Sequence, residues 1–196
     1  HGDREDFADP EWVHRADRPY DPDLSAEGIR QARALARDIA DESIDYLYSS
    51  SFLRAVHTAY LCGQVLHLPI RIEEGLGERM AAEWFSHRPR TRSVQELKER
   101  FDSVDSNYVS LVQPDFPEEY EQTTKRFARA VEVVLRQTRG TLLIVGHGAT
   151  YHGVASALLK RHFDPQVDPA SLSRFDLNDG VWNLTYHNKT SFQGHE

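Results

Sequence analysis

The sequence predicts an α/β fold with a mainly parallel sheet, and three observations predict it. The run Leu142-Leu-Ile-Val145 follows Gly140 and is apolar throughout and rich in branched residues, as in a strand buried on both faces. Short runs of this kind alternate along the chain with longer stretches whose apolar residues recur at helical spacing. Gly146 breaks the run, and Gly148-Ala149 opens a helical pattern through Val154, Ala155, Leu158 and Leu159. His147 therefore sits where a buried strand meets a helix N-terminus, the position at which α/β sheets bind ligands and backbone N–H groups favour an anion.

The elements follow in order. Residues 1–24 are polar and loop-like, with Pro10, Pro19 and Pro22 and the aromatics Trp12 and Tyr20. Ser25 reads as an N-cap with Glu27 in the first turn, opening a helix to about Glu42 on the stripe Ile29, Ala32, Leu35, Ala36, Ile39 and Ala40. Ile44–Tyr48 is a short strand leaving through Ser49-Ser50-Ser51. A second helix runs from about Phe52 to Leu66, with Leu53, Val56, Ala59, Tyr60 and Val65 inward, and Pro69 stops it before the candidate strand Ile70–Ile72. Residues 73–92 show no period, and a segment of that length inside a compact domain is more often functional than idle. Ser93 and Glu96 form a capping box for a short helix to Phe101. After an irregular stretch from Asp102 to Pro117, a helix from Glu118 to Thr138 buries Phe127, Ala130, Val131, Val134 and Leu135. Leu172–Leu177 and Val181–Tyr186 flank Asn178-Asp-Gly180, a hairpin signal. Trp182 and Phe127 are expected in the core.

A chain of 196 residues fits one domain, 1–196, large enough to bury a real core. Its net charge of −8 argues against general nucleic-acid binding, since no basic stripe faces phosphates. No apolar run approaches the ~18 residues of a membrane span, and the expected compartment is cytoplasmic. Cys62, the sole cysteine, lies among apolar residues at helical spacing and reads as core filler. Four residues separate His147 from His152, so they miss the i, i+4 spacing of paired helical metal ligands, and neither HExxH nor paired cysteines occur; the sequence implies no metal and no cofactor.

Four stretches occur in order: His1-Gly-Asp-Arg4, Ser49 to Ala59 with Arg54, Gly75-Leu-Gly-Glu78-Arg79, and Val145-Gly-His147-Gly148. Together they resemble the histidine phosphatase superfamily, the phosphoglycerate-mutase-like proteins. The resemblance is nearest to the phosphatase domains of the suppressor-of-T-cell-receptor-signalling proteins and the ecdysteroid-phosphate phosphatases. His-Gly-Asp-Arg, Tyr20 to Gly28, Glu83-Trp84, Leu97-Lys98 and the stretch Asp105 to Pro117 carry that closer likeness. It implies a phosphoglycerate-mutase-like three-layer sandwich around the parallel sheet.

The resemblance also implies roles. His1 would be the nucleophile, forming a phosphohistidine. Arg4 and Arg54 would grip the phosphoryl oxygens, with His147 as a further donor and the Gly148 N–H in support. Glu78 would be general acid and then base; an apolar wall of Trp84 and Phe85 would favour its protonated form, and Trp84 would also line the substrate pocket. The family places an arginine directly before the nucleophile, on a first strand, so the natural chain is expected to continue upstream of His1. The implied partner is a small phosphorylated substrate. The bulky continuation Arg79 to Phe85 favours a phosphomonoester with an aryl or other hydrophobic leaving group over the small substrate of a mutase. A phosphoglycerate-mutase-type phosphotransferase and a catalytically weak phosphate-binding signalling module are the alternatives. Related domains are often dimeric, which makes a homodimer an expectation without a nameable interface. Arg79, Arg88, Arg90 and Arg92 read as a solvated loop in preference to an extension of the pocket's anionic reach.

Overall fold

The computed structural model describes residues 1–9 and 11–190. Two one-turn helices, α1 (Glu5–Ala8) and α2 (Trp12–Arg15), lie in the segment expected to be loop. They are followed by α3 (Ala26–Asp38), β1 (Tyr46–Ser49), α4 (Leu53–Leu66), β2 (Ile70–Ile72), a 3₁₀ turn (Glu74–Leu76) and α5 (Val94–Arg100). The chain continues through α6 (Tyr120–Gln137), β3 (Leu142–Val145), α7 (Gly148–Leu159) and the hairpin β4 (Leu172–Asn178) and β5 (Val181–Lys189).

The sheet is parallel, in the order β2-β1-β3, with Leu47 opposite Ile70 on one side and Leu143 on the other. Side chains alternate between its faces, and this alternation builds the layers. Leu47, Ile70, Ile72, Leu143 and Val145 join the core that holds Leu35 and Ile39 of α3 and Val56 and Ala59 of α4. Tyr48, with partly buried Tyr46, Leu142 and Ile144, faces a second core with Ala130, Val131 and Val134 of α6 and Val154 of α7. The result is a three-layer α/β sandwich in which the β3 run is covered on both faces. Cys62 is fully buried, as core filler should be.

Three expectations are corrected. Val65 is 37% exposed, because the inward stripe of α4 runs through Val56, Ala59 and Gly63, and residue 65 falls two positions off it. Helix α3 stops at Asp38, four residues short of Glu42. Trp182 is only half-buried: it pairs with exposed Leu177 next to the turn of a separate two-stranded hairpin, at the end where that sheet is least covered.

The opening segment is tied to the helical layer at close range. Ser25 caps α3 by accepting from the Gly28 N–H at 3.0 Å, and its hydroxyl donates to Asp3 at 2.8 Å. The Asp3 N–H donates to Gln31 at 2.8 Å, and the Gly2 N–H to Thr58 of α4 at 3.2 Å. At the crossing there is no room for side chains. A Cβ on Gly28 would lie 2.1 Å from the Asp3 carbonyl oxygen, and one on Gly2 would lie 2.4 Å from the Gly28 oxygen. Gly28→Ala is expected to destabilise the fold by about 1–3 kcal/mol through overpacking, read as a lower urea midpoint at unchanged m-value. It should also reduce activity, because the backbone that shifts carries His1.

Candidate active site

Four side chains from separate parts of the sequence converge beyond the C-terminal ends of β1 and β3. His1 is held by its backbone: its nitrogen donates to the Gly146 carbonyl at 3.1 Å, and its carbonyl accepts from the Ala170 N–H at 2.8 Å. Arg54 comes from the first turn of α4, which opens directly after the β1 exit. Glu78 follows the 3₁₀ turn after β2, and His147 is the N-cap of α7.

The hydrogen bonds assign the tautomers. His1 Nδ1 lies 2.7 Å from the Gly2 carbonyl oxygen, which can only accept, so this nitrogen carries the proton. Arg54 Nε donates to His1 Nε2 at 3.3 Å, so Nε2 holds the lone pair and faces the guanidinium. The His147 ring meets the His1 ring edge-on, with centroids 4.9 Å apart. His147 Nε2 is 2.8 Å from Ser50 Oγ, and its Nδ1 points towards Glu78 Oε2 at 3.5 Å. With Ser50 donating to Nε2, Nδ1 bears the hydrogen.

Burial sets the electrostatics. Arg54 is 2% exposed, and desolvation lowers its pKa to about 10 against the opposing pull of Glu78. The guanidinium stays charged at neutral pH. Burial, and then the charge of Arg54, hold His147 well below the usual imidazole range, so it is a neutral donor. Arg54 Nη1 and His147 Nδ1 are both buried without a hydrogen-bond partner among the described residues. Uncompensated buried donors of this kind are costly unless something negative meets them. The nearest carboxylate, Glu78, is 3.5 Å from Arg54 Nη2 and from His147 Nδ1, close enough for charge but too far for a good hydrogen bond.

Glu78 is therefore flanked by Arg54 and His147. Phe85 is buried with Phe52 and Met80, while Trp84 is 50% exposed under the Arg79 guanidinium, 5.4 Å from the ring centroid. The two neighbouring rings differ in burial at the end of a turn over residues 82–84. Arg4 stands near enough for its charge to act on Arg54 and His147. It gives Nε and Nη2 to Asp6 at 2.9 and 2.6 Å and stacks on Phe7. Gly148 is the first residue of α7, where its N–H has no partner within the helix. No group of His, Cys, Asp and Glu able to hold a metal ion occurs among the described residues.

Several residues around the site escape sequence reading. Glu73 is completely buried and accepts from the N–H groups of Gly75, Leu111 and Val112 and the hydroxyls of Tyr108 and Ser110, fastening the irregular stretch 105–112 beside the sheet. Of the arginines expected to be solvated, Arg88 and Arg90 are exposed and donate to the Pro114 carbonyl and to Asp17, whereas Arg79 and Arg92 are partly buried and paired with Glu83 and with the buried Asp21. Asp21 in turn accepts from the Leu53 N–H at the start of α4 at 2.7 Å, one residue before Arg54. The only sequence trace of this role is an acidic residue ahead of a helix that has no side-chain cap of its own.

The chain was compared with known proteins. The family profile described as histidine phosphatase superfamily (branch 1) matches residues 8–190, a span that contains Arg54, Glu78 and His147 and begins after His1 and Arg4. A Hydrogenobacter thermophilus protein named for phosphoserine phosphatase activity is 29% identical over 86% of this chain and 84% of its own length. The human ubiquitin-associated and SH3 domain-containing protein A is 32% identical over 71% of this chain, which corresponds to 23% of that longer protein. Among solved structures, the silkworm ecdysone phosphate phosphatase superposes with a TM-score of 0.75 at 23% identity, covering 96% of this chain and 90% of that one.

Burial raises the Asp21 pKa from 3.8 to about 6, outweighing the Leu53 N–H and Arg92. A carboxyl whose folded pKa is raised binds its proton more tightly when folded, so its contribution is present below pH 4 and is lost as pH rises through 6. Chemical unfolding of wild type and Asp21→Asn between pH 4 and 7 should show the wild type losing stability relative to the variant, by up to about 3 kcal/mol. A pH-independent difference would contradict the assignment.

Proposed function

Because the chain belongs to the histidine phosphatase superfamily and is a phosphatase, we propose that it hydrolyses phosphomonoesters through a phosphohistidine on His1. The observation that carries this reading is the pair of buried, unpartnered donors, Arg54 Nη1 and His147 Nδ1, beside the lone pair of His1 Nε2. A phosphoryl group supplies the acceptor oxygens that both donors lack, and it places phosphorus beside the nucleophile.

In the first step Nε2 attacks phosphorus and the bond to the leaving oxygen breaks, while Glu78 gives that oxygen its proton. Before the second step the alcohol departs. A water then attacks the phosphorus, its proton passes to the Glu78 carboxylate, and the P–N bond breaks. Inorganic phosphate leaves, and His1 and protonated Glu78 are restored. Arg54 and His147 stabilise the charge on the equatorial oxygens in both steps, His147 as a neutral donor and Arg54 as a cation. Arg4 keeps its Nη1 for the same oxygens.

The substrates are small phosphorylated molecules. An aryl or otherwise hydrophobic leaving group is supported by Phe7 and Trp84, exposed by 67% and 50%, each beside an arginine near the site: Arg4 and Arg79. No helix among the described residues is long and apolar enough to cross a membrane.

Hydrolysis of p-nitrophenyl phosphate in excess EDTA should proceed and should vanish in His1→Ala, and quenched wild-type reactions should contain an acid-labile phosphoprotein absent from the variant. Turnover that survives without His1, or dies in EDTA, would overturn the mechanism. A preference for 3-phosphoglycerate over an aryl phosphate would overturn the leaving-group reading.

A further inference from the structure

Arg126 occupies the buried face of α6, on the stripe shared by Thr123, Phe127, Ala130 and Val134. A charged side chain at that spacing has to be compensated fully, and the way it is compensated is specific. Nε and Nη2 grip the Glu118 carboxylate at 2.6 and 2.8 Å. Nη1 donates to the carbonyls of Gly75 and Gly77 at 2.7 and 3.2 Å, and Nη2 to the carbonyl of Glu78 at 2.9 Å. Glu118 closes the loop from the other side: it accepts from the Met80 N–H at 3.3 Å, and its own N–H donates to the Met80 carbonyl at 2.8 Å.

One guanidinium thus takes three carbonyl oxygens from the four residues that end at Glu78, and its carboxylate partner holds the residue two further on. By contrast, the Glu78 carboxylate itself is held loosely, by the Arg79 N–H at 3.1 Å and by Arg54 and His147 at 3.5 Å. Its position depends on the backbone beneath it. Arg126 has committed both faces of its fork to protein groups and so has little left to offer a substrate.

We infer that Arg126, clamped by Glu118, is a positioning residue that sets where the Glu78 carboxyl meets the leaving-group oxygen. The inference rests on the acid–base role proposed for Glu78. Lysine cannot replace the arginine: one ammonium can keep the ion pair or reach the carbonyls, but it cannot match the planar fork that does both. A displacement of ~1 Å in such geometry costs up to ~10²-fold in rate.

The test compares two esters of similar bulk, p-nitrophenyl phosphate and phenethyl phosphate, by kcat/KM, which reports the step that expels the leaving group. Nitrophenolate departs as a stable anion, whereas the phenethyl alkoxide needs a proton delivered. Glu78→Gln should therefore lower kcat/KM far more for the phenethyl ester, by about 10²–10⁴-fold. Arg126→Lys should reproduce that asymmetry in weaker form, with at least about a tenfold greater loss on the phenethyl ester. Glu118→Gln, which frees the guanidinium from its anchor, serves as a second variant and should do the same should Arg126→Lys fail to fold. Equal losses on both esters in the Arg126 and Glu118 variants, beside an asymmetric Glu78→Gln, would reduce the clamp to a structural role and overturn the inference. A symmetric Glu78→Gln would overturn the acid–base assignment itself.

Discussion

Arg54 is a charged side chain almost without contact with water, and its nearest carboxylate is 3.5 Å away. Removing a guanidinium from solvent is expensive, and a loose ion pair returns only part of that cost. The fold tolerates this because α4 delivers the side chain from its first turn, its backbone start fixed by Asp21 and its guanidinium lying over the Phe52 ring. What remains is a positive, partly dehydrated point next to an imidazole lone pair. Much of the surrounding structure serves to hold that point open: His147 is buried and neutral beside it, and Glu78 is near without neutralising it through a close hydrogen bond.

The irregular segments around the site show how a cluster of this kind is kept rigid without regular secondary structure. Loops at 73–92 and 102–117 cannot satisfy their backbone groups through a ladder, so buried side chains do it for them. Glu73 gathers three N–H groups and two hydroxyls, and Arg126 gathers three carbonyls. The two residues carry opposite charges and solve opposite halves of the same problem. Both stand close to the sheet, where the loops leave it, and both act on the stretch that leads to Glu78.

Much of the fold was legible in the sequence because the periodicities are unambiguous. Leu142–Val145 reads as a doubly covered strand and is one, and the Ser25 and Ser93 caps open the helices they promise. The site was legible to the extent that His1, Arg54, Glu78 and His147 fall in ordered motifs at element ends. The misses have physical reasons. The helices α1 and α2 are single turns, too short to show a period. Arg92 looks solvated in a sequence because an arginine in a loop gives no sign of the distant carboxylate it will reach. Arg126 did leave a trace, a charge on the apolar stripe of α6, but its partners at 75, 77, 78 and 118 were not in view.

The sequence by itself determined the alternation of strands and helices, the capped ends and the set of reactive residue types, because those depend on neighbours within a few positions. The tertiary structure decided which nitrogen of His1 and of His147 bears the proton, which arginine is left with a free donor and which is spent on an ion pair, and which charged groups meet Glu78. Those properties arise mostly from groups far apart in the sequence, His1 with Arg54 and Ser50 with His147 among them, brought within hydrogen-bond distance in a medium poor in water, and no local pattern encodes a distance of that kind.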